Sequence, residues 1–306
     1  MKQGRIYQQR WTNLKDKISA LWTRLQRTAR VNSVMFFDMD KAKMAFAKPK
    51  ILPQIMVTPN GARRTIADHP AIPVTIKEIV TTAASCYEAG AGAMHFHVRD
   101  NEQQHVLDAG LYKEALAELA IAVPEMHLQI TTESVGRYSP EDMRALAYEV
   151  MPPGISIGII EMIPDGQPTP DDIKLYKTLY EAGTRIQHIC YFPEHLDIVR
   201  QIIDKAGLPE DDIWCLFTIG HYSGRASKPE LIEQFLEKLK SLKLYPEWAI
   251  CAFAEQEQIC LQKAVSLGGK VRVGFENSLF MPNGTIAENN EERVTAARTL
   301  FESKTQ

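Results

Sequence analysis

Two histidines one residue apart, His95 and His97, lie in the apolar run Ala93-Met94-His95-Phe96-His97-Val98-Arg99-Asp100. Side chains two apart on a strand share a face. The pair is therefore predicted to aim two imidazoles at one point, and neutral imidazole is a good ligand for zinc. Paired strand histidines also occur as plain core residues. A second segment sharpens the metal reading: Val271-Arg272-Val273-Gly274-Phe275-Glu276-Asn277. By alternation Arg272, Gly274 and Glu276 share one face, and Val271, Val273 and Phe275 suit an apolar one. A buried Arg and Glu are costly unless paired or bound to something. A structural ion pair satisfies that condition. So does a His95, His97, Glu276 metal site with an open fourth position, the arrangement of catalytic zinc.

The elements that must position these residues read as a repeating strand–helix pattern. Candidate strands are 51–58, 93–98, 128–132, 155–160, 185–191, 213–219, 248–253 and 271–275, with helical segments between and after them. Thr75-x-x-Glu78 has the form of a capping box, and Ser139-Pro140 and Thr169-Pro170 mark helix starts. Gly90, Gly183 and Gly207 follow helical runs where a left-handed cap is wanted. Eight such units in about 250 residues is the arithmetic of an α/β (β/α)8 TIM barrel. A doubly wound sheet is the alternative, but Pro59-Asn60-Gly61 after the first strand is not a Gly-rich phosphate loop. In a barrel the chemistry gathers where strands end, which is where both segments above place their polar residues.

The charge is divided along the chain. Residues 1–50 hold 12 Lys/Arg and 3 Asp/Glu, whereas residues 51–306 hold 23 and 35. Residues 1–50 are predicted to form a basic amphipathic N-terminal helical extension, with Trp11, Leu14, Ile18, Leu21, Trp22 and Leu25 on one face. Residues 51–306 are expected to form the catalytic barrel. The extension suits packing on the body or on a second subunit, so a homo-oligomer is expected. A presequence or a membrane-surface helix is the alternative. An acidic body disfavours nucleic acid, and no run reaches the length of a membrane span. Five widely spaced cysteines without a CxxC pair fit reduced thiols and a cytoplasmic location.

Several motifs together resemble the β-keto acid cleavage enzyme family, from about Pro53 to Phe301. They are Asn60-Gly61-Ala62, Pro70-x-x-Pro73-Val74-Thr75, Tyr87-Glu88-Ala89-Gly90-Ala91, the HxH segment through Asp100, Gly268-Gly269, the Arg272–Asn277 segment and Asn283-Gly284-x-Ile286-Ala287. The resemblance implies a zinc-dependent barrel, usually a homo-oligomer. It implies a retro-Claisen exchange in which a β-keto acid and acetyl-CoA give acetoacetate and a new acyl-CoA. Residue by residue it puts Zn2+ on His95, His97 and Glu276. Arg272 takes the place of the family's strand-eight arginine, and Asn277 that of its neighbouring acid. Thr131, with Ser134 beside it, and Ser156 become substrate-binding hydroxyls.

Departures from the family fall at the site. Asn277 stands where an Asp is usual, and Asn cannot take a proton at neutral pH. Strand five, Ile186-Gln187-His188, lacks an acidic pair, and Ala254-Glu255 replaces Gly-Arg. Arg63 occupies a position where a relative acting on an aminated substrate has Glu, so the substrate is expected not to be an amine. Glu161, Glu255 and His188 are the candidate bases. Three alternatives stay open. One is another zinc-dependent C–C lyase or hydrolase without acetyl-CoA. Another is an amidohydrolase, using His188 and His221. The third is a non-catalytic scaffold.

Overall fold

Eight parallel strands close into a barrel in simple sequence order, β1 to β8. They are β1 Ile55–Val57, β2 Ala93–Phe96, β3 His127–Thr131, β4 Gly154–Gly158, β5 Arg185–Cys190, β6 Trp214–Ile219, β7 Glu247–Ala252 and β8 Lys270–Val273. The computed structural model describes residues 51–221 and 224–302. The expected basic extension, residues 1–50, lies outside the described residues. The barrel is the expected (β/α)8 fold.

The helices between strands are α1 Ile76–Ala89, α2 Ala109–Ala122, α3 Pro140–Val150, α4 Ile159–Met162, α5 Pro170–Glu181, α6 His195–Ala206, α7 Glu230–Ser241 and α8 Glu257–Ser266, and α9 Asn290–Glu302 closes the chain. Their starts follow from the sequence. Thr75 and Glu78 form a full capping box on α1, as do Ser139 with Asp142 on α3 and Thr169 with Asp172 on α5. Each box satisfies two backbone donors that would otherwise lack partners. Gly90 and Gly207 end α1 and α6 in the left-handed conformation.

Alternation along the strands separates two apolar layers. Residues such as Val57, Phe96, Ile130, Ile157, Phe217 and Val273 pack outward against the helices. Met56, Ala93, Trp214, Leu216, Ala249, Cys251 and Phe253 fill the barrel interior. The floor is closed by Arg185, whose guanidinium lies 4.4 Å from the centre of the Trp214 ring and pairs with Asp212. Above these apolar residues the interior turns polar. His95 pairs in register with Gln129, and Thr131 with Ser156. All five cysteines are buried free thiols. No helix among the described residues is long and apolar enough to cross a membrane.

Most strand ends shift from the sequence reading by a few residues, and two of these shifts bear on the site. Strand β4 stops at Gly158, and the turn of helix that follows carries Glu161. Strand β8 stops at Val273, and Gly274 turns the chain with φ 140°. A Cβ at Gly274 would stand 2.3 Å from the Thr58 carbonyl oxygen, so the β1 end leaves room there only for glycine. Glu276 thus reaches the barrel mouth from a turn and not by strand alternation.

Candidate functional site

The two histidines and the glutamate converge. His95 Nε2 and His97 Nε2 lie 3.1 Å apart, and Glu276 Oε2 is 3.8 and 3.7 Å from them. All three residues are buried. Ligands about 2.1 Å from a tetrahedral zinc stand roughly 3.4 Å from one another, so this triangle has the size of a metal site. Second partners set the remaining atoms. Gln129 Oε1 lies 2.9 Å from His95 Nδ1. An amide oxygen only accepts, so the ring proton sits on Nδ1 and His95 Nε2 keeps a lone pair toward the site. Two imidazole nitrogens and a carboxylate oxygen converging in a buried space are a donor set that could hold a metal ion.

Glu276 is held from two sides. Arg272 donates to Oε1 at 3.0 Å, and the Thr58 hydroxyl donates to Oε2. Burial alone would raise its pKa, but the Arg272 charge, followed by His95 and the Thr58 bond, brings it below the ordinary value. Arg272 also reaches Cys251 Sγ at 3.7 Å. The His95 pKa falls to about 4, first through burial and then through the Arg272 charge. A neutral imidazole is the ligand form.

Loops after the strands brace this triangle. Asn60 accepts from the His97 N–H at 3.2 Å and donates to the His97 carbonyl at 2.8 Å, fixing the end of β2. Arg99 gathers the carbonyls of Gly61, Arg64 and Gln103 and so ties the first loop down. Gly61 must be glycine twice over. Its φ is +61°, and a Cβ would lie 2.4 Å from Glu276 Cγ.

A cavity opens above the triangle at the carboxyl end of the barrel. Of the residues named from sequence, Arg63, Thr131, Ser156, Arg272, Glu276 and His95 line it. His97 meets Glu276 from behind. Ser134 stands at the edge, with its hydroxyl on Glu161 Oε1 at 2.7 Å. Asn277 is buried, and its amide has no hydrogen-bond partner among the described residues. The Ser156 hydroxyl is likewise buried without one.

The candidate bases separate. Glu161 lines the cavity, with its pKa raised by burial. Glu255 is exposed. His188 faces outward, stacks on Tyr176 at 5.5 Å and bonds the Trp214 carbonyl at 2.9 Å, so it does not reach the cavity. His221 does line the cavity, at its rim.

Two residues beside the triangle escaped the sequence reading. Glu133 lines the cavity with Oε2 3.9 Å from His97 Nε2. Burial, then the Glu276 and Glu161 charges, push its pKa up to about 8. A bound cation would reverse that shift. His105 stands behind His97 at 3.3 Å. Neither belongs to a spaced motif. Glu133 sits two residues past Thr131 on the same side of an extended chain, the only signal it had.

Comparison with known proteins agrees with the fold and names the family. Residues 54–305 match the model of the beta-keto acid cleavage enzyme family. The 3-keto-5-aminohexanoate cleavage enzyme of Fusobacterium nucleatum is 25% identical over 238 residues, covering 76% of this chain and 85% of that protein. The 3,5-dioxohexanoate:acetyl-CoA acetone transferase of Paraburkholderia graminis is 23% identical over 279 residues, covering 81% and 89%. Among solved structures, ObcA in binary complex with oxaloacetate superposes with a TM-score of 0.60 at 15% identity over 77% of this chain. The chain spans 64% of the length of that protein, and the likeness is one of fold. With the match running from β1 through α9, the chain belongs to the beta-keto acid cleavage enzyme family.

Proposed function

We propose that this protein exchanges acyl groups between a β-keto acid and acetyl-CoA, giving acetoacetate and a new acyl-CoA, with Zn2+ at His95, His97 and Glu276. The observation that carries the reading is the cation-sized triangle beside Arg272, in a chain of this family. The P. graminis relative, an acetyl-CoA acetone transferase by name, supports the co-substrate. The nitrogen-rich donor set favours zinc over magnesium or calcium. When bound, the ion supplies Lewis-acid polarisation of a keto oxygen.

The chain's own residues do the rest. Arg272 holds Glu276 in place and offers charge to a substrate carboxylate or a developing oxyanion. Thr131 and Ser156, adjacent in register, present hydroxyls to the same end of the substrate. Glu161, raised by burial, holds or releases a proton at Oε2, the oxygen not taken by Ser134. Arg63 puts a cation at the mouth, which disfavours an ammonium tail. Glu133 and Glu161 lie close enough to feel that charge. They offset it and so disfavour a second carboxylate. An uncharged polar tail fits this balance.

A panel of β-keto acids with neutral, anionic and cationic tails, incubated with acetyl-CoA and scored for new acyl-CoA, tests the proposal. Turnover is expected with the neutral polar tails. No new acyl-CoA from any member overturns it. One observation favours a second reading, a metal-dependent C–C cleavage or hydrolysis without acetyl-CoA: the buried residue beside Glu276 is the neutral Asn277. Loss of the keto acid without acetyl-CoA present would support that reading.

A further inference from the structure

We infer that Tyr191 is a specificity-determining residue: its phenol O–H donates to an oxygen on the tail of the keto acid, so oxygen-bearing tails are preferred to alkyl ones. The inference deepens the proposed acyl exchange and rests on it. The triangle comes from β2 and from the turn after β8, on either side of β1. In a closed eight-strand barrel the strand across from β1 is β5. A substrate with its keto oxygen at the triangle therefore extends its tail toward the end of β5. Tyr191 is the residue that follows that strand, and it lines the cavity with Ile189 below it. Thr218 and Phe253, from the ends of β6 and β7, continue this wall. The charged groups Arg63, Glu133 and Glu161 come from the loops after β1, β3 and β4 instead. On the β5–β7 side the tail thus meets a wall that is largely apolar and carries one phenol.

The surrounding chain is built to hold that ring. The Tyr191 N–H donates to His195 Nδ1 at 3.2 Å, and its carbonyl accepts from Arg225 at 2.7 Å. Arg225 also donates to the carbonyls of Thr218 at 3.1 Å and Gly220 at 2.9 Å, which ties the end of β5 to the end of β6. Its guanidinium lies 4.6 Å from the centre of the Phe192 ring. The Tyr191 ring meets His221 edge-on, with centres 5.7 Å apart. Among the described residues Tyr191 makes its hydrogen bonds through its backbone, which leaves the phenol for the cavity. Burial, then the Glu161 and Glu133 charges, push the phenol pKa well above its ordinary value, so the group stays a neutral donor. An alkyl tail packed on it would leave a buried donor unpaired, and an ammonium tail has no lone pair to offer. A hydroxyl or keto oxygen accepts. A site that bonds a substrate oxygen rejects the analogue lacking it.

The test compares wild type with Tyr191→Phe, which removes one hydroxyl and keeps the ring and both backbone bonds. Each is assayed with zinc and acetyl-CoA on 3-oxohexanoate and on 5-hydroxy-3-oxohexanoate, and kcat/KM is read from new acyl-CoA. Wild type is expected to prefer the hydroxylated acid by about tenfold. Tyr191→Phe is expected to lose about tenfold on that acid, mostly in KM, and to stay within about twofold on the alkyl acid. The preference then disappears. A wild type without the preference overturns the inference. So does a Tyr191→Phe that keeps it, or one that falls equally on both acids, as a structural role would have it. If wild type forms no acyl-CoA from either acid, the exchange reading fails on its own, and calorimetric binding of the two acids decides about Tyr191. A difference in Kd that Tyr191→Phe abolishes sustains the assignment, whereas equal binding, or none, overturns it.

Discussion

Ser134 donates twice to one oxygen of Glu161, from its backbone N–H at 3.2 Å and from its hydroxyl at 2.7 Å. Both bonds favour the charged carboxylate and oppose the upward push of burial. Ser134→Ala removes the hydroxyl bond and should cost about 1 kcal/mol of stability. The Glu161 pKa should then rise. If Glu161 holds the catalytic proton, the acidic limb of the rate–pH profile for acyl exchange moves to higher pH. An unmoved limb would remove Glu161 from that role and leave Glu133 as the nearest carboxylate.

Metal content gives the most direct check on the triangle. His95→Ala and Glu276→Gln should each abolish stoichiometric zinc in purified protein, measured by elemental analysis. For the wild type, zinc at 100 times its Kd should raise stability by about 2.7 kcal/mol, read as a higher thermal midpoint than after chelation. A midpoint indifferent to zinc would count against the site.

His188 is a structural group with a pH signature. Burial brings its pKa down to about 4, partly opposed by the bond to the Trp214 carbonyl. The unfolded chain, with an ordinary His pKa near 6.5, therefore binds this proton more readily than the fold does. The stability His188 contributes is fully present above about pH 6.5 and is lost as pH falls toward 4. By linkage the loss is on the order of 3 kcal/mol. Replacing it with Leu should flatten denaturation midpoints across that window while leaving acyl exchange intact. An unchanged pH slope would show that His188 is hydrated.

Asn277→Asp probes the family's missing acid. A carboxylate there would be buried next to Glu276, so the metal-free variant should melt lower, by about 1–3 kcal/mol. If the Asn disabled or tuned the exchange, the zinc-loaded variant gains acyl-CoA formation by tenfold or more. No gain, with zinc bound, would show that proton transfer in this chain has moved elsewhere in the cavity.

Gly61→Ala should couple the first loop to the metal. The left-handed φ and the 2.4 Å approach to Glu276 Cγ leave no room for a methyl group. The expected loss is about 1–3 kcal/mol of stability, with weaker zinc binding than wild type. Unaltered zinc affinity would mean that Glu276 can shift without leaving the site.

The barrel was legible because each unit announces itself: an apolar β-branched strand, a capped helix, a closing glycine. His95 and His97 were legible because strand alternation is a local rule. Glu276 was found for a partly mistaken reason, since it projects from the turn that Gly274 begins and not from β8. Arg63 showed only its sign in the sequence. That Glu133 and Glu161 answer its charge depends on loops after β3 and β4 meeting the loop after β1. His105 was silent for a similar reason. Its partner is eight positions away across a hairpin, and no periodicity reports such a contact.

The Thr58–Glu276 bond joins residues 218 positions apart, at the seam where β8 closes on β1. A ribosome therefore releases nearly the whole barrel before this pocket can exist. Until β8 docks, His95 on β2 and His97 just after it lack the Glu276 carboxylate. On the proposed metal reading, an ion would find its full donor set only after synthesis has passed Glu276, and a chain truncated before that point is left open along one strand edge.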